Sequence, residues 1–167
     1  MPFHLPIEPF FHFHTDYSTV LVCWCGRHPI EPRVSGADHS GMSQPHPYQS
    51  GLFLVTTNIK NRKPIFTNDA YAHEAIETLY RVQVRHPFVL YGFVVMPDHC
   101  HLLVRIPKNG SLSKTMNIYK GIVSLNIGNG PMWQPRFHVR WVKNSSGALR
   151  YIHMNPVQAG LSDIPQK

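Results

Sequence analysis

The sequence has little cysteine, little acid and no long apolar run. Three cysteines in 167 residues (Cys23, Cys25 and Cys100) make an odd set without repeating spacing. A disulfide framework is therefore not expected, and a reducing compartment is. No stretch reaches the roughly 18 apolar residues that a membrane-spanning helix needs. Nor does the N-terminus read as a signal peptide, because it lacks a basic first region and His and Pro interrupt its apolar stretch. Nine acidic residues stand against sixteen Lys and Arg, a net charge of +7. That balance points to a polyanionic partner, or to nothing more than a solvated cationic face.

What is present falls into two unlike parts. Residues 1–50 hold two basic and four acidic residues, whereas residues 51–167 hold fourteen basic and five acidic ones. The cationic character therefore belongs to the later part. Residues 1–50 also carry seven prolines and six histidines with no sustained helical or alternating period. They read as a disordered extension, or as upstream sequence from a mis-called start, with Met42 just before the ordered pattern. The Cys23-x-Cys25 pair with His12 and His14 can be drawn as a metal site, but its spacing is not that of a zinc finger.

From residue 51 the pattern is regular. GLFLVTTNIK is a strand, stopped by Asn61-Arg62-Lys63-Pro64. Residues 69–85 place Ala72, Ala75, Ile76, Leu79 and Val82 at helical spacing, with Pro87 beyond. Residues 88–97 and 101–106 are two strands joined by the Pro97-Asp98 turn, hence antiparallel. Ser111 can cap a helix over 112–126, ended by Gly128-Asn129-Gly130-Pro131. Gly121 inside that helix costs about 1 kcal/mol relative to Ala. Residues 133–142 read as an extended segment or strand, and a last helix starts near Ala148 and breaks near Pro156. The order β-α-β-β-α-β-α predicts an α+β fold: a ferredoxin-like antiparallel sheet with helices packed on one face.

Two constellations carry chemistry. His99 and His101 are two apart, so on a strand they face one side and can meet one ion. Asp98 beside them could orient an imidazole or could be only the turn residue. Tyr151 and Asn155 are four apart, one turn on a helix face. A phenol beside an amide can act as a nucleophile on phosphorus, or the two can be a packing aromatic and a helix-end amide before Pro156. Spacing alone leaves both pairs open.

The string YGFVVMPDHCHLLVRIP resembles the HUH signature of the IS200-like tyrosine transposases, two His flanking one bulky apolar residue. WQPRF at 133–137 and RYIHMNPVQAGL at 150–161 resemble later blocks of the REP-associated branch of that family, in the family's order. The resemblance runs from about Gly51 to Leu161, and implies a transposase domain over 51–167. It implies a metal-dependent single-strand DNA endonuclease and strand transferase acting on hairpin DNA through a 5′-phosphotyrosine intermediate. Carried onto this chain, His99, His101 and Asn155 become ligands of Mg²⁺ or Mn²⁺ and Tyr151 the nucleophile. Arg105, Lys114, Lys120, Arg136, Arg140 and Lys143 become candidates for phosphate contact. Trp133, Phe137 and Trp141 are candidates for stacking on bases or for the core. The implied protein is bacterial, cytoplasmic and nucleoid-associated, a monomer or homodimer without a membrane segment.

The chain also departs from the family pattern. Val139 stands where relatives carry an acid, few residues separate Asn144 from Tyr151, and the sequence stops soon after Leu161. These departures predict a tyrosine helix shortened by about a turn, and a phenol displaced by about 1 Å can lose roughly two decades in rate. They keep open a second reading, a catalytically inactive relative that only binds nucleic acid.

Overall fold

The computed structural model of the protein describes residues 50–163 and the backbone of Leu21–Trp24. Strand β1 is Leu21–Trp24, β2 Gly51–Asn58, β3 Val89–Met96, β4 His99–Ile106 and β5 His138–Trp141. Helix α1 is Asp69–Arg85, α2 Leu112–Ile127 and α3 Ser145–Gln158. The strands form one sheet in the order β1-β3-β4-β2-β5, every neighbouring pair antiparallel. The predicted α+β class and element order hold. Leu21–Trp24 falls inside the segment read as an extension and pairs with the outer side of β3. The rest of that segment, with the Cys25, His12 and His14 of the drawn metal site, lies outside the described residues.

Local chemistry sets the element ends. The Asn68 side chain accepts from Ala70 N at 3.0 Å and caps α1. Ser111 caps α2 by accepting from Lys114 N at 3.3 Å, and Gly128 closes that helix in the left-handed region at φ 71°. β3 and β4 meet through the two-residue turn Pro97-Asp98, and β4 begins at His99, two residues earlier than the sequence suggests. β5 is shorter than the predicted 133–142 stretch. Within that stretch Trp133 makes an isolated bridge to Ile59 and Gln134 N donates to Asn58 O at 2.9 Å, so this loop is laced to the end of β2.

Both faces of the sheet are covered. Phe53, Val55, Phe93, Val95, Cys100, Leu102 and Val104 face α1 and α2 in the main core. Leu52, Leu54, Val94, Met96 and Leu103 face the opposite way, against Ala148 and Ile152 of α3. The expectation of helices on one face is thus corrected: α1 and α2 share a face, and α3 takes the other. The physical reason lies in β3 and β4, whose successive buried residues need apolar cover on both sides. Gly92 permits the close approach, since a β-carbon there would stand 2.7 Å from Leu149 Cδ2 of α3.

Candidate metal and nucleophile site

Strand pleating creates the histidine pair. In β4, His99 and His101 point to the α3 side while Cys100 points into the α1/α2 core. The two Nε2 atoms lie 3.1 Å apart and the rings meet edge-on at 4.8 Å. His101 is buried at 4% exposure. Burial pushes its pKa down to about 4, helped by the neighbouring His99 and Arg62 and opposed by a hydrogen bond with Asn155. His101 is therefore neutral near pH 7, the form in which imidazole ligates a metal.

Each Nδ1 atom has an oxygen partner. Asp98 Oδ1 lies 2.6 Å from His99 Nδ1, and a carboxylate can only accept, so that nitrogen carries the hydrogen. Thr56 Oγ1 lies 2.8 Å from His101 Nδ1 and can accept in the same way. If Thr56 accepts, both hydrogens sit on Nδ1 and the two Nε2 lone pairs face each other; if it donates, His101 Nε2–H donates to His99 Nε2. Two donors bonded at about 2.1 Å and near right angles to one ion stand about 3 Å apart. The donor set thus fits a shared divalent cation.

The nucleophile candidate comes from the other layer. α3 buries Ala148, Ile152 and Pro156 against the sheet, which leaves Tyr151 and Asn155 beside the histidines. The Tyr151 ring centre is 5.3 Å from that of His101, and the residue is 40% exposed. Asn155 Nδ2 donates to Tyr151 O at 2.8 Å, and its amide also engages His101. Arg140 of β5 places its guanidinium carbon 5.9 Å from the centre of the Tyr151 ring. The helix begins at Ser145, earlier than the expected start near Ala148, and continues through Pro156 to Gln158 instead of breaking there. The structure brings Tyr151 to the histidine pair despite the short connection that precedes it.

The expected cations separate by position. Arg140 lies on the site face, in register with Leu54. Arg136 and Lys143 are exposed on the segments flanking β5. Arg105 is on the same face as the histidines but at the other end of β4, where its Nε donates to Tyr91 Oη at 3.0 Å. Lys114 is exposed on α2, behind the sheet. Two expectations are corrected. Lys120 is buried, its Nζ donating to Gln134 O at 2.6 Å and Pro135 O at 3.3 Å, so it holds a loop and meets no solvent phosphate. Trp133 is buried between Phe66 and Tyr119 and donates from Nε1 to Lys120 O at 3.1 Å, so it offers no face to a base. Phe137 is partly buried against the main core, while Trp141 stays 60% exposed.

Sequence reasoning missed three contributors. Thr56 and Asn58 pair across β2 with His101 and His99, a register that follows once β2 is known to lie beside β4. Arg62 reaches Asp98 and Asn58 from the turn after β2. That turn holds Asn61 at φ 58° and Arg62 at φ 54°, each costing on the order of 1 kcal/mol. Nothing local in the sequence marks these contacts.

Residues 52–155 match the family model described as IS200-like transposase. A REP-associated tyrosine transposase of Escherichia coli (strain K12) is 26% identical over 125 residues, covering 70% of this chain and 75% of that relative. A relative from Haemophilus influenzae is 25% identical over 134 residues, covering 70% and 76%. Among solved structures, a REP-associated tyrosine transposase bound to a REP hairpin superposes with a TM-score of 0.62 at 24% identity, covering 75% of this chain and 77% of that one. The chain belongs to the IS200-like transposase family.

Proposed function

We propose that this transposase cleaves and rejoins single-stranded hairpin DNA through a 5′-phosphotyrosine intermediate on Tyr151, at a Mg²⁺ or Mn²⁺ ion held by His99, His101 and Asn155. The observation that carries the reading is the placement of the Tyr151 ring 5.3 Å from His101, itself 3.1 Å from His99 through the facing Nε2 atoms. A divalent ion there would polarise the scissile phosphate and offset charge developing on its oxygens. Among the described residues, no group of three or more His, Cys, Asp or Glu is placed to hold a metal ion. The remaining ligand positions then fall to the Asn155 amide oxygen, phosphate and water, a hard set that favours these ions.

The Tyr151 hydroxyl gives up its proton to solvent and its oxygen attacks phosphorus. The P–O3′ bond breaks, and the departing 3′ oxygen takes up a proton. The 5′ phosphate stays on Tyr151 until a second 3′ hydroxyl displaces the phenol. Asn155 is tied through Nδ2 to Tyr151 O, and Arg140 supplies positive charge next to the ring. Hairpin DNA is the substrate class suggested by the similarity to a relative bound to a REP hairpin. The test is incubation with end-labelled single-stranded hairpin DNA and Mn²⁺, followed by a denaturing gel. A covalent adduct that disappears in Tyr151→Phe is expected. Adduct in that variant would remove Tyr151 from the role, and binding without adduct under any metal would leave a nucleic-acid-binding relative only.

A further inference from the structure

The turn that follows β2 is built around the hairpin turn that carries Asp98. Ile59 N donates to Asp98 O at 2.9 Å and Phe66 N to Pro97 O at 2.9 Å. Between them, Asn61 and Arg62 both stand in the left-handed region, a conformation that persists in non-glycine residues only where the surroundings over-determine it. The result is that Arg62 reaches back over the site. Its Nε lies 2.7 Å from Asp98 Oδ2, and its Nη1 donates to Asn58 Oδ1 at 2.6 Å. Asn58 is itself fixed, donating from Nδ2 to Gln134 Oε1 at 3.3 Å. The other carboxylate oxygen of Asp98, Oδ1, holds His99 Nδ1 at 2.6 Å.

We propose that Arg62 is a positioning residue of this site: by bridging Asp98 and Asn58 it fixes the carboxylate on His99 Nδ1 and keeps His99 Nε2 aimed at His101. The consequence for metal affinity rests on the metal reading above, whereas the consequence for the His99 tautomer does not. A planar guanidinium can give two hydrogen bonds in two fixed directions, which an ammonium on a flexible stem cannot. Arg62 is thus committed to two protein oxygens at the edge of the site, although its side chain is 52% exposed. An arginine placed only to meet phosphate would not need the paired left-handed residues that turn it inward.

Two measurements on the full chain decide the matter. The first is the tautomer of His99 in metal-free protein, read from long-range ¹H–¹⁵N correlations. The Nδ1–H form is expected in the parent, and a mixture with the Nε2–H form in Arg62→Gln. The second is affinity for Mn²⁺ alone, expected to fall about tenfold or more in that variant, as is usual when a partner of a ligating imidazole is lost. Arg62→Lys should recover neither property fully, and it carries the same measurements should Arg62→Gln not fold. A tautomer shift with no Mn²⁺ binding in either protein would uphold the role of Arg62 and remove the metal reading. An unchanged tautomer overturns the proposal, whatever the metal affinity. If DNA binding then also loses about one unit of salt dependence, Arg62 is a phosphate contact instead.

Discussion

Thr56 Oγ1 lies 2.8 Å from His101 Nδ1, across the paired strands β2 and β4. The hydroxyl can accept from or donate to this nitrogen, so the orientation of Thr56 and the tautomer of the buried imidazole are linked. Thr56→Val keeps the shape of the side chain and removes that partner. Mn²⁺ affinity, followed by calorimetric titration, should fall on the order of tenfold. The metal-free protein should lose about 1–3 kcal/mol of stability in urea unfolding, because a buried ring nitrogen of His101 is left without its partner.

Lys120 and Arg136 should behave as opposites. Lys120→Met leaves the Gln134 and Pro135 carbonyls without their ammonium partner, and should cost about 1.5–3 kcal/mol of stability in urea unfolding. Its effect on the salt dependence of DNA binding should be nil. Arg136→Gln should be neutral for stability, and should reduce the salt slope by about one if Arg136 meets a phosphate.

The two layers allow a matched pair of cation tests. Arg140 stands on the site face beside Tyr151, whereas Lys114 is exposed on α2 behind the sheet. Arg140→Gln is expected to weaken hairpin binding and slow adduct formation, measured in one gel series. Lys114→Gln should alter neither. Equal losses in both would mean that DNA wraps the helical layer as well.

Acid should loosen the contact between α1 and α2 before it reaches the rest of the core. Glu74 on α1 loses some preference for the charged form through burial. Its hydrogen bonds from Asn126 of α2 and from Thr78, together with Arg81, outweigh that and hold the carboxyl below the ordinary value of 4.5. A lowered folded pKa contributes stability that is present above the unfolded value and is lost as pH falls through the folded one. Urea midpoints for the parent should therefore decline below about pH 4.5, while those of Glu74→Gln should lack this component. Parallel curves for the two proteins would contradict the assignment.

Gly121 sits inside α2, exposed, with nothing within 4 Å of a β-carbon placed there. Gly121→Ala should stabilise the protein by about 0.5–1 kcal/mol in the same urea assay, without change in DNA binding.

Much of this was legible because two periods dominate the chain. The strand period put His99 and His101 on one side of β4, and the helical period put Tyr151 and Asn155 on one side of α3. The face chosen by α3 was also written in VLYGFVVM, whose successive apolar residues need cover on both sides, yet element order alone suggests helices on one. Lys120 shows why a list of cations misleads. It falls four residues after Met116 and three before Val123, on the buried stripe of α2, so its position argued for the interior while its charge argued for the surface. Arg62 was out of reach for a different reason. Its partners Asp98 and Asn58 come together only when β2, β4 and two turns have been assembled, and no local spacing encodes that meeting.

The pleat of β4 also acts as a sorting device between soft and hard chemistry. Cys100 is flanked by both histidines, yet its thiol is sealed in the α1/α2 core, where burial pushes its pKa up to about 12. A slip of one residue in the β4 register would bring sulfur to the α3 side and send both imidazoles inward. The ladder is held from both sides, by β2 and β3. A thiophilic metal such as Zn²⁺ or Cu⁺ therefore finds no thiolate from β4 on the α3 face. An alkylating reagent added to the folded protein should likewise leave Cys100 untouched.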